Sequence, residues 1–112
     1  MSSETDQKAL AKPFPVADVT ASLLAELTLL AEAEANIRGL EVPKVPGVLL
    51  KMKIPLDSLS VVDVLCSVEP VLGVPLKDSL VRTGGYGSIE AAIDHLMPKL
   101  EAVWTKAHGG VA

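Results

Sequence analysis

Apolar residues recur at helical spacing in three long stretches separated by proline- and glycine-rich connections, so the pattern predicts helices rather than strands. In the first stretch Leu23, Leu27, Leu30, Ala31 and Ile37 share a face, with Glu26, Glu32 and Glu34 turned to water. Asp18 or Thr20 supplies an N-cap, Arg38 lies in the last turn, and Gly39 stands at the C′ position, which predicts a helix over about 19–38. The following segment, residues 40–47, carries Pro43, Pro46 and Gly47 and reads as a long loop. Beyond it Val48, Leu49, Leu50, Met52 and Ile54 tuck under the bundle while Lys51 and Lys53 face solvent.

A second helix begins at Asp57-Ser58-Leu59, with Asp57 or Ser58 as its cap. Val61, Val64, Leu65, Val68 and Leu72 follow the i, i+3, i+4, i+7 rule and point to the core. Leu59, Val62 and Cys66 form another apolar line, flanked by Asp63 and Glu69. The tripeptide returns as Asp78-Ser79-Leu80, but Gly84, Gly85 and Gly87 limit any helix there to a turn or two. The last helix is capped by Ser88 and carries Ile89, Ala92, Ile93, Leu96, Leu100, Val103 and Trp104 inward. Pro98 predicts a kink or a restart within it. Residues 1–17 read as a flexible arm, residues 18–104 as one helical domain, and residues 105–112 as a flexible tail.

Composition agrees with helices. Hydrophobic residues make up 49% of the 112 and aromatics only 3%, so the core is aliphatic and fits a small helical bundle better than a sandwich. Cys66 is the only cysteine, which excludes an internal disulfide and a cysteine-type zinc site and suits a reducing cytoplasm. The first residues lack the pattern of a signal peptide, and no run of apolar residues is long enough to span a membrane.

Charge sharpens this picture. The net −4 is spread unevenly: residues 57–101 hold seven acids against three bases, whereas residues 1–56 hold seven against six. A surface acidic from Asp57 onward disfavours nucleic acid and favours basic partner proteins. The acids are dispersed, and no metal site is expected. His95 on a packed helix and His108 in the tail give Ser58 no hydrolytic triad. Cys66 reads as a small, buried or half-buried apolar group rather than a reactive thiol.

The order long helix, long loop, long helix opened by Asp-Ser-Leu, short helix, long helix resembles the acyl carrier protein family. Leu72-Gly73-Val74-Pro75-Leu76 is similar to its turn after the second helix, and residues 88–96 to its last helix. The resemblance covers about residues 20–100. It implies an all-α, four-helix bundle with a long loop after helix 1 and a short third helix, acting as a monomeric carrier and not as an enzyme. It further implies that Ser58 is esterified to 4′-phosphopantetheine by a separate phosphopantetheinyl transferase, which Asp57 helps to bind its metal and cofactor. Leu59, Val62, Asp63, Cys66 and Glu69 would then dock the enzymes that load and process the acyl group. Pro55 stands where the family has glycine, and Ser60 and Pro70 where it often has charge. The reading from another class is a cofactor-free helical adaptor that binds a basic partner through the same apolar line.

Overall fold

The computed structural model describes residues 14–108, the Pro46 side chain excepted. Helix α1 spans Val16–Ile37, α2 Pro46–Lys51, α3 Ser58–Leu72 and α4 Ile89–Ala107. A single 3-10 turn covers Asp78–Leu80. Helix α1 packs on α3 and α4, and α2 packs on α4, which makes an all-α bundle of four helices.

The core follows from the sequence periods. Val61, Val64, Leu65, Val68 and Leu72 of α3 are all buried, as their spacing requires. They meet Val19, Leu23, Leu27, Ala31 and Ala35 of α1, together with Ile89, Ala92, Leu96, Leu100 and Trp104 of α4. On α1 the buried stripe is displaced from the expected one: Ala35 is buried, Leu30 is half-buried, and Ile37 is 79% exposed. The buried residues Val19, Leu23, Leu27, Ala31 and Ala35 recur every four positions, a row inclined to the helix axis that has turned away from Ile37 by the end of α1. Helix α1 ends as expected at Gly39, whose φ of +71° requires a residue without Cβ. Leu40 N–H donates to the Ala35 carbonyl at 2.8 Å and Gly39 N–H to the Asn36 carbonyl at 3.2 Å, the paired bonds of a Schellman motif.

Several boundaries differ from expectation. Helix α1 starts at Val16, with neither Asp18 nor Thr20 as its cap, because Val19 N–H bonds to the Pro15 carbonyl and draws the preceding turn into the helix. Phe14 packs edge-on against Trp104, with centroids 6.0 Å apart, so residues 14–17 belong to the fold and not to a flexible arm. Residues 1–13 and 109–112 lie outside the described residues. Helix α4 passes Pro98 without restarting and continues to Ala107. Pro98 is exposed, and burial of Leu96, Leu100 and Trp104 on either side outweighs the single bond lost to the Asp94 carbonyl. His108 then stacks on Trp104 at 4.1 Å and its Nδ1 bonds to the Trp104 carbonyl at 2.9 Å, so residues 105–108 are part of the helix end.

The loop after α1 contains α2. Its prolines argued against any helix, but Pro46 occupies the N-terminal turn, where a missing N–H costs nothing. Leu49 is buried as the anchor of this short helix.

Candidate functional site

Ser58 is set by two devices, one at its own helix end and one from a distant loop. At the helix end Asp57 is the N-cap: its Oδ1 accepts from Ser60 N–H at 2.8 Å and its Oδ2 accepts from the Ser60 hydroxyl at 3.0 Å. The choice between Asp57 and Ser58 as cap is thereby settled, and Ser58 becomes the first residue of α3. The Ser60 backbone N–H, and after it the Ser60 hydroxyl, hold the Asp57 carboxyl below the ordinary aspartate range. Ser58 is half-buried, and its hydroxyl has no capping duty.

The second device is a strap formed by residues 82–88. Leu56 N–H donates to the Tyr86 carbonyl at 2.8 Å, Tyr86 N–H donates to the Leu56 carbonyl at 2.9 Å, and Ile54 N–H donates to the Gly87 carbonyl at 3.0 Å. This isolated antiparallel bridge fixes the backbone immediately before Asp57. Gly85 makes it possible: a Cβ there would overlap the Leu56 carbonyl oxygen and stand 3.0 Å from Asp57 Cα, and its φ is +81°. Leu56 and Tyr86 are both buried, so the bridge is sheltered from water.

The strap is held from beneath by a polar network. Arg82 N–H donates to Tyr86 Oη at 3.0 Å, and Oη lies 2.7 Å from His95 Nδ1. With Oη accepting from Arg82, its proton is directed to His95 Nδ1, which suits a neutral imidazole. Desolvation, then the positive charges of Lys99 and Arg82, push the His95 pKa below its ordinary value of 6.5. Arg82 also closes over the Tyr86 ring, 4.8 Å from its centroid, and its Nε–H donates to the Gly85 carbonyl at 3.2 Å.

The five other side chains proposed around Ser58 separate into two groups. Leu59, Asp63 and Cys66 are exposed on one line of α3, with Leu59 79% exposed. Pro70 falls on the same line at helical spacing and extends it toward the end of α3. The exposure of Cys66 corrects the expectation of a buried or half-buried group: positions 61, 64, 65 and 68 fill the buried arc, and residue 66 lies opposite. Val62 and Glu69 are half-buried at the edge of that line. Glu69 also has a structural duty, since its Oε2 accepts from Leu76 N–H at 2.8 Å and ties down the turn after α3.

The repeated tripeptide resolves in three dimensions. Ser58 opens a 15-residue helix behind a side-chain cap, whereas Ser79 sits within a three-residue 3-10 turn that has no side-chain cap. Sequence reasoning missed Gly85, Tyr86 and His95 as the supports of the Ser58 segment. The glycine pair beside one of only three aromatic residues was the available signal. Among the described residues no group of three or more His, Cys, Asp or Glu side chains could hold a metal ion, and no helix is long and apolar enough to cross a membrane. Comparisons with protein-family models, curated proteins and solved structures return no match to this chain.

Proposed function

We propose that the chain is an acyl carrier whose Ser58 hydroxyl bears 4′-phosphopantetheine, installed by a separate phosphopantetheinyl transferase. The observation that carries this reading is the position of Ser58 at the first residue of α3, released from capping by Asp57 and braced from behind by the Tyr86 strap. The residues fit the group. A phosphodiester on Ser58 Oγ would sit at the positive end of the dipole of a 15-residue helix, beside a first turn of which Asp57 caps the Ser60 N–H. Asp57, kept ionised by Ser60, is available to the transferase and its metal at the helix mouth. When bound, the cofactor supplies a terminal thiol that holds an acyl group as a thioester.

The protein's own contribution is position and recognition. Leu59 and Cys66 offer exposed apolar contact to enzymes that load and process the acyl group, and Asp63 adds a negative charge for a basic partner surface. Val62 and Glu69 border that face, with Glu69 acting mainly through the turn it holds. On this reading the protein works in the cytoplasm as a monomer and catalyses nothing itself. The test is covalent: the intact mass of the wild type and of Ser58→Ala after incubation with a transferase and coenzyme A.

A further inference from the structure

The turn after α3 and the end of α4 enclose a groove of about 320 Å³ that has no part in presenting Ser58. Val74, Pro75 and Leu80 form one wall, and Val103 and Ala107 form the other. Val74, Leu80 and Val103 are each only half-buried, so the bundle does not cover their apolar surface. Lys77 and Lys106 complete the lining, one from each wall, and Ser79 adds a hydroxyl. Both lysines are exposed, and neither forms an ion pair with a described residue. Lys106 also complements the C-terminal end of the α4 dipole, but Lys77 has no such role. In a chain of net charge −4, an apolar cleft bordered by two cations and lined by no carboxylate is a local reversal of charge. Asp78 is the nearest acid in sequence and does not line the groove.

We infer that this groove binds a single-chain anionic amphiphile, the class of a medium-chain fatty carboxylate, with the alkyl chain between Leu80 and Val103 and the carboxylate between Lys77 and Lys106. The volume lies at the small end of the range for ligand pockets, which suits one short chain rather than a two-chain lipid. Apolar lining gives affinity that grows roughly fourfold per buried methylene, and the lysines select the sign of the head group. The groove lies beyond the C-terminal end of α3, roughly 20 Å along the helix from Ser58. Binding of a free carboxylate there is independent of any modification of Ser58.

The experiment uses the full, unmodified chain and decanoate below its micelle concentration, followed by amide chemical shifts and by calorimetry. The expected result is saturable one-to-one binding, with shifts confined to residues 74–80 and 103–107, unchanged by Ser58→Ala. Lys77→Glu combined with Lys106→Glu should weaken decanoate at least tenfold while leaving the helical circular dichroism intact. Lys77→Gln, which keeps the bulk without reversing charge, should weaken it severalfold. Decyltrimethylammonium should not bind. Equal binding of the cationic amphiphile, shifts located elsewhere, or affinity insensitive to both lysine changes overturns the proposal. So does binding that appears only after residues 109–112 are deleted, because the chain's own tail would then be the occupant.

Discussion

Leu56 and Tyr86 exchange both backbone hydrogen bonds, at 2.8 and 2.9 Å, and this one bridge fixes the chain one residue before Asp57 and two before Ser58. A serine at a helix start is otherwise only as well placed as the loop that leads to it. Here that loop is clamped to the N-terminal approach of α4, so the two helices define the position of Ser58 jointly.

The close approach at Gly85 makes it the most sensitive glycine of the strap. Gly85→Ala adds a Cβ that overlaps the Leu56 carbonyl and strains a backbone at φ +81°. A loss of about 2 kcal/mol or more is expected in urea unfolding. Gly84→Ala is the control, since its φ is +89° but nothing lies within 4 Å of the added atom, and a loss of about 1 kcal/mol is expected there. Equal losses at the two positions would show that backbone strain alone matters and that the packing on Leu56 does not.

The strap should weaken in acid through His95. Its folded pKa is lowered, so the unfolded chain binds more protons in the window between the lowered value and 6.5. The stability contributed by neutral His95 is therefore complete above pH 6.5 and is lost as the pH falls through the folded value. Thermal melts from pH 7.5 down to 5 should show this decline, and His95→Gln should flatten it. Tyr86→Phe removes the hydroxyl that serves both Arg82 and His95, for a cost of about 1–2 kcal/mol at pH 7.5. A decline of the same size in His95→Gln would assign the acid sensitivity to other groups.

Asp63 and Glu69 were equivalent in sequence and are not equivalent in the fold. Asp63→Lys should leave unfolding within about 0.5 kcal/mol of wild type, because the side chain is exposed. It should also weaken a basic partner in a salt-dependent manner. Glu69→Lys should cost about 1–2 kcal/mol, because it removes the acceptor of Leu76 N–H. Parallel urea titrations and binding at two salt concentrations separate these outcomes.

The contrast between those two acids marks what was legible in the chain. The buried arc of α3 could be read from 3–4 spacing because a half-exposed helix must repeat its apolar face. The same rule, applied fully, excludes Cys66 from the core. The α1 stripe was harder, since its buried row advances in steps of four from Val19 to Ala35, whereas hydrophobicity alone favours Ile37. Helix α2 was hidden by prolines that open a helix as readily as they end one. The bridge from Leu56 to Tyr86 leaves no periodic trace, because it joins two loops that meet only when α3 and α4 are packed.

Modification of Ser58 is read most directly from an intact mass after incubation with coenzyme A and each of several broad-specificity phosphopantetheinyl transferases. Wild type and Ser79→Ala should each gain one phosphopantetheinyl group, and Ser58→Ala should gain none. Asp57→Ala should be modified more slowly and should unfold about 1 kcal/mol more easily, from loss of the cap. No mass gain in the wild type with any transferase, or an undiminished gain in Ser58→Ala, would contradict the carrier assignment.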